Sequence, residues 1–248
     1  MRRRLVLGYH AISAHWPCTL AVSPQALQEQ LERLVRRGYR GITLAEMASG
    51  RPRGRVMVVT FDDAYRSVLE LAFPILQRLG LPGTVFVPTT HMGGGPMSWP
   101  GIDGWLDTEH RAELAGCTWD ERSVLAQAGW EIGSHTHTHA RLPALDDEAL
   151  AGELRRSRQE VEQRLGCPCR TIAYPYGDSD ARVAAAAAAA GYVATVGGPP
   201  SRGGPPHPLR ADIYRKDHGW RIALKTSVLH GGLTTLAQLR ERPAADAR

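Results

Sequence analysis

Two short stretches hold the residues best suited to chemistry. Glu131–His139, EIGSHTHTH, carries histidines at 135, 137 and 139. On a strand, period two would put all three on one face, a His-x-His arrangement that suits zinc. In a turn, His135 and His139 lie four apart and close together while His137 points elsewhere. Gly133-Ser134 just upstream ends the apolar run, which favours the turn and the 135/139 pair. The second stretch is Thr60-Phe61-Asp62-Asp63, which closes an apolar run. Two adjacent carboxylates at a buried strand end are costly unless something compensates them. A divalent cation does so: one Asp binds it and the other stays free to accept a proton. One Asp and two His make a three-ligand site with open positions, as catalytic metals require.

These residues need elements to position them. Apolar runs predict strands at Leu5–Tyr9, Arg55–Phe61, Gly83–Val87, Trp130–Ser134, Arg170–Ala173, Tyr192–Val196 and Leu209–Ile213. Between them lie helical patterns. Ser23-Pro24 opens a helix that runs to about Arg37 and stops at Gly38. Tyr65–Leu79 reads as a helix kinked by Pro74. Thr118 and Glu121 form a capping box for a helix ending near Gly129. Asp146–Leu165 is a long charged helix, Asp180–Ala190 an alanine-rich one, and Asp217 is the expected cap of a final helix. A long loop rich in Gly, Pro and Trp separates Pro88 from Cys117, and loops of that length inside a domain usually serve function.

Strand–helix alternation without hairpins argues a parallel sheet covered by helices, and about seven strands suggest a closed or nearly closed barrel. His10, Asp62, Asp63, His135, His139 and the Tyr174–Gly177 stretch all follow strand ends, which in a parallel barrel face one mouth. Residues 1–242 read as one domain, with a disordered tail over 243–248.

Composition narrows the class. Thirty Lys and Arg against 25 Asp and Glu give a net charge of +5, read as an arginine-rich solvated surface. No aromatic-interleaved basic stripe accompanies it, so a nucleic-acid partner is not expected. The four cysteines, at 18, 117, 167 and 169, have neither zinc-ribbon spacing nor the pattern of a disulfide framework. No run is apolar enough for a transmembrane segment, and the basic start precedes too short an apolar run for a signal peptide, so a cytoplasmic location is expected.

TFDD at 60–63, SHTHTH at 134–139 and AYPYG at 173–177, in that order and spacing, resemble the metal-dependent polysaccharide deacetylases, the NodB-homology group of carbohydrate esterase family four. The resemblance runs from Gly8-Tyr9-His10 to about Ile213. It implies a single-domain α/β fold, a distorted (β/α)7 barrel, and removal of acetyl groups from N-acetylated sugars. It assigns Asp62 as catalytic base and Asp63, His135 and His139 as ligands of one divalent ion, zinc first, with cobalt or nickel as alternatives. His137 falls on a variable position. Two departures stand out. Ala64 occupies a place that is usually Gly, and no Arg precedes Tyr174-Pro175-Tyr176-Gly177. The YPYG form resembles the branch of poly-β-1,6-N-acetylglucosamine deacetylases, in which the acid histidine comes from the first strand. His10 matches that place, with His230 in Val228-Leu229-His230 as the alternative acid. Arg210 is expected to replace the missing Arg by pairing with Asp62. Tyr174, Pro175, Tyr176, Trp99 and Trp105 are the expected sugar-contacting residues. The expected partner is an N-acetylated sugar, oligosaccharide or glycoconjugate precursor. The competing readings are an O-acetyl esterase, a cyclic-amide hydrolase, and a sugar-binding module with a vestigial metal site.

Overall fold

The structure is a computed structural model, and it describes residues 3–50, 52–197 and 205–226. The expected strands all form. They are β1 (Arg3–Tyr9), β5 (Arg55–Phe61), β6 (Thr84–Val87), β7 (Glu131–Ser134), β8 (Thr171–Ala173), β9 (Ala194–Val196) and β10 (Arg210–Asp212). Three more were not expected: β2 (Ala11–Ile12), β3 (Ala21–Val22) and β4 (Tyr39–Gly41). Two or three residues are too few to show a period. The seven barrel strands stand in the order β10, β1, β5, β6, β7, β8, β9, and every pairing is parallel. They form the nearly closed sheet of a distorted (β/α)7 barrel in a single domain. β4 pairs with the first half of β5, while β2 and β3 form a separate ribbon.

Alternation along β1 and β5 sorts the core. Val6, Val56 and Val58 join Phe86, Ala173, Ala194 and Val196 in one buried cluster with α2 (Leu44–Ser49). Their neighbours Leu7, Met57, Val59 and Phe61 face the helices in the other cluster. Period two explains the division. It also sends Asp62 to the same face as Val56 and Val58, one strand-length further up. The opposite end is stoppered by α2. Its N-terminal backbone N–H groups donate to Thr84 Oγ1 (Leu44, 3.2 Å) and Glu131 Oε2 (Ala45, 3.0 Å), at the starts of β6 and β7.

The helices follow their local signals. α1 (Pro24–Arg36) is capped by the Ser23 hydroxyl, and α4 (Trp119–Gln127) carries the Thr118/Glu121 capping box in full. α5 (Asp147–Leu165) starts at the Asp146 cap and ends at Gly166 in the left-handed region, while α6 (Ala181–Ala189) starts at Asp180. Over the stretch expected as one kinked helix, a π-turn (Val68–Ala72) leads into α3 (Phe73–Arg78). Pro74 sits in the first turn of α3, where its missing N–H costs least. Asp217 is not the cap of α7 (Trp220–Lys225), whose N-cap is Gly219. The Asp217 carboxylate instead accepts from the Tyr214 N–H and from Lys225 Nζ, so a paired cation draws it away from the helix end. The expected tail, 243–248, and His230 lie outside the described residues.

Candidate active site

At the top of β5 the chain leaves the sheet in an unusual way. Asp62 still donates its N–H to the Tyr9 carbonyl (2.9 Å), so it remains tied to β1. Asp63 and Ala64 then both adopt left-handed backbone, with φ of 68° and 62°. The turn aims the two carboxylates in different directions. Arg122, fully buried in α4, holds its far side by donating Nη2 to the carbonyls of Ala64 (2.8 Å) and Tyr65 (3.1 Å).

Asp62 is gripped from β10. Arg210 donates Nη1 to Oδ1 and Nη2 to Oδ2, each at 2.8 Å, and its Nε lies 2.8 Å from Asp212. β1 stands between β10 and β5, so the arginine must pass over it. The crossing point is Gly8, where a Cβ would collide with the Arg210 side chain and the Asp212 carboxylate. Burial is the largest single influence and would raise the Asp62 carboxyl, but the Arg210 charge and hydrogen bonds together with the nearby His135 and His10 outweigh it and hold the group below the usual carboxylate range. From the other side His10 brings Nε2 to 3.8 Å from Asp62 Oδ2, with its ring stacked on Tyr214.

Asp63 faces the histidines. Its Oδ1 lies 3.2 Å from His135 Nε2 and 3.3 Å from His139 Nε2, and all three residues are buried. His135 donates Nδ1–H to the Ala173 carbonyl (2.9 Å), which fixes the ring and directs Nε2 at the site. Between the two, the backbone turns through left-handed Thr136 (φ 69°) and returns at His139 (φ 61°), whose N–H donates to Thr136 Oγ1 (3.1 Å). The turn geometry, not the strand geometry, holds. His137 is turned out of the group, with Nδ1 2.8 Å from Thr89 Oγ1 and 3.5 Å from Glu160. Burial would raise Asp63, but the facing His135 and His139 imidazoles, with the nearby His10, outweigh it and hold the group far below the normal range. Burial pulls His135 down, and Asp63 and Asp62 more than reverse that. For His139 burial prevails and its value stays low.

The ligand-capable atoms of Asp63, His135 and His139 lie within 4.8 Å of one another, the only such group among the described residues. Two imidazole nitrogens and a carboxylate oxygen suit zinc, and the pinned His135 tautomer leaves Nε2 as its donor. The residues present therefore fit a divalent ion.

A cavity of about 330 Å³ opens over these groups. Tyr174 and Tyr176 line it. Trp99, from the long loop, stacks on His139 with ring centroids 4.1 Å apart, and Tyr176 meets His139 edge-on at 4.8 Å. Tyr176 is itself left-handed (φ 60°), which swings its ring over the histidine. Pro175 is buried beneath the turn and does not line the cavity. Trp105 does not reach it either. It packs edge-on to Trp16 (5.8 Å), because a buried indole on the β2–β3 ribbon offers it apolar surface. Cys18, Thr19 and Leu20 of that ribbon's loop, together with Asp212 and Tyr214, line the cavity without having been expected. No periodicity or motif marks them, since they reach the mouth only through the fold.

Comparison with known proteins shows which proteins the chain is similar to. The chain is 26% identical over 192 residues to the Bacillus subtilis (strain 168) protein YxkH, covering 75% of this chain and 61% of that one. It is 25% identical over 169 residues to the poly-beta-1,6-N-acetyl-D-glucosamine N-deacetylase of Staphylococcus aureus (strain MSSA476), covering 63% and 54%. It therefore spans little more than half the length of these curated relatives. Among solved structures, the fold is shared with the Streptococcus pyogenes deacetylase PplD in complex with acetate, at TM-score 0.72, 21% identity and coverage of 91% and 98%. IcaB from Ammonifex degensii superposes at TM-score 0.69 with 22% identity, covering 91% and 99%. The polysaccharide deacetylase family model matches residues 49–195, the segment that runs from before the Asp62-Asp63 turn into β9, and by that match this chain belongs to the polysaccharide deacetylase family.

Proposed function

We propose that the chain is a metal-dependent N-deacetylase, hydrolysing the acetamido group of an N-acetylated sugar in an oligosaccharide or glycoconjugate to acetate and a free amine. The observation that carries this reading is the division of labour between Asp62 and Asp63. One is clamped by Arg210 and faces His10, and the other faces two histidines. The Staphylococcus aureus relative, named for N-deacetylation of a β-1,6-linked N-acetylglucosamine polymer, supports the substrate class.

A divalent ion held by Asp63, His135 and His139 would polarise the acetyl carbonyl and make water a stronger nucleophile. Asp62, kept ionised by Arg210, accepts the proton that the attacking water loses. His10 stands 3.8 Å from the Asp62 carboxylate and supplies a proton to the departing nitrogen. The positions are complementary: one group must take a proton and the other give one within a single cavity. Trp99, Tyr174 and Tyr176 supply aromatic walls against which a pyranose ring packs.

The test is acetate release from N-acetylglucosamine oligomers by the full chain, stripped of metal and then reloaded with zinc, cobalt or nickel. Release that disappears on stripping and returns on reloading is the expected result. Release that persists in the Asp63→Ala or His135→Ala protein overturns the metal assignment. A protein that binds metal but releases acetate from no N-acetyl sugar overturns the activity.

A further inference from the structure

The turn that carries the two histidines is not self-supporting. Thr136 and His139 are both left-handed, a conformation that L-residues resist and β-branched ones resist most. Contacts from outside must hold it. The loop after β6 supplies three to the backbone: the Thr89 N–H donates to the Thr136 carbonyl (3.2 Å), and the Thr90 N–H (3.0 Å) and hydroxyl (2.9 Å) both donate to the His137 carbonyl. Inside the turn, the Thr136 N–H donates to Ser134 Oγ (3.0 Å) and the His139 N–H to Thr136 Oγ1 (3.1 Å), while three further donors converge on one side chain from outside, Glu153 of α5. Its Oε2 accepts the backbone N–H groups of His137 and Thr138, both at 2.9 Å, and its Oε1 accepts the Thr138 hydroxyl at 2.8 Å. Three hydrogen bonds to an ionised acceptor are stronger than the same bonds to a neutral one. They fall on the two residues midway between His135 and His139.

We propose that Glu153 is a positioning residue for the metal site: by bracing the 137–138 peptide from α5 it sets the separation and aim of His135 and His139. The proposal rests on the reading of these histidines as ligands given above, and it adds a residue that touches neither metal nor substrate. His137 belongs to the same brace. Its ring, fixed by Thr89 and facing Glu160, keeps the middle of the turn facing away from the cavity while its N–H reaches Glu153. The middle histidine then serves as an anchor of the turn.

The test uses the full chain and cobalt. Cobalt affinity is measured by visible absorption titration, and backbone exchange at 137–138 is measured on the metal-free protein. Glu153→Ala is expected to weaken cobalt binding about 10- to 100-fold, the usual effect of losing a group that orients a ligand. It is also expected to speed exchange of the His137 and Thr138 amides. Glu153→Gln is expected to recover most of the affinity, because its amide oxygen can accept both backbone N–H groups while its NH2 donates to the Thr138 hydroxyl. Glu148→Gln, an exposed change in the first turn of α5 that touches no part of the brace, is expected to bind cobalt as the wild type does. Should Glu153→Ala fail to fold, Glu153→Asp, which withdraws the carboxylate by one methylene, carries the same expectation. Wild-type cobalt affinity in Glu153→Ala, or a Glu153→Gln protein as weak as Glu153→Ala, overturns the proposal. A wild-type chain that takes cobalt but deacetylates nothing overturns the proposed activity and leaves the brace standing. A wild-type chain that takes no cobalt overturns both.

Discussion

Arg210 and Asp62 meet through two parallel hydrogen bonds of 2.8 Å across an intervening strand, and both side chains are almost wholly shielded from water. The pair lies 148 residues apart in sequence. Its chemical consequence is an Asp62 carboxylate kept ionised although burial opposes charge. The linkage runs in one direction. A folded-state value below the unfolded one, about 3.9, gives stability that is fully present above that value and is lost as pH falls through the depressed one. The same shift sets the acid limb of catalysis if Asp62 is the base. Arg210→Met is therefore expected to move the acid limb of kcat/KM to higher pH and to lower activity near neutrality. Asp62→Asn is expected to cost about 10²- to 10⁴-fold at every pH, the usual worth of a general base. A pH–rate profile on each variant checks both. An unmoved acid limb in Arg210→Met would separate Asp62 from the base role.

Gly8 is the gate for that pair. A methyl group there meets the Arg210 side chain and the Asp212 carboxylate at once. Gly8→Ala is expected to reproduce the upward shift of the acid limb expected for Arg210→Met, although residue 8 carries no side-chain functional group. Because both changes break one contact, their effects should not add. The double variant is expected to match Arg210→Met alone within error, whereas independent sites would sum.

Ala64 bears a cost that the sequence makes visible only through the family resemblance. It is fully buried and left-handed at φ 62°, where a Cβ crowds the backbone. Ala64→Gly relieves about 1 kcal/mol of that strain, which in a domain of this size corresponds to a rise in Tm of about 2–4 °C. Ala64→Val is expected to destabilise strongly, since a β-branched residue is a clear outlier in that region. Thermal unfolding of the metal-free protein reads both. A lower Tm for Ala64→Gly contradicts the strain.

What the sequence revealed and what it withheld divide along physical lines. The span of β5 matched residue for residue, and the Thr118/Glu121 box capped its helix, because runs and caps are local. His135 and His139 were separable from His137 because Gly133-Ser134 ends the strand before the histidines begin. The pairing of Arg210 with Asp62 was expected, but not the passage over Gly8 that makes it feasible, since that depends on strand order. Trp99 and Trp105 sit six residues apart in one loop and looked alike. Only tertiary structure sends one onto His139 and the other onto Trp16. Glu153 falls within the long charged helix read over Asp146–Leu165, and nothing local distinguishes it from its acidic neighbours.

His10 provides the sharpest test of which bond is cut. Its Nε2 approaches Asp62, its ring stacks on Tyr214, and it sits at the end of the strand next to the one that carries both aspartates. An amine is a far poorer leaving group than an alcohol unless it is protonated as the bond breaks. An amide-cleaving enzyme therefore depends on its acid more than an ester-cleaving one does. His10→Ala is expected to lower turnover of an N-acetyl sugar by about 10²- to 10⁴-fold and to slow release from an O-acetyl ester much less. Acetate release from matched N- and O-acetylated sugars, wild type against variant, measures the difference. Equal losses on both substrates would assign His10 a positioning part through Asp62. Unchanged turnover on the amide would place the acid elsewhere in the chain, with His230 the next residue to replace.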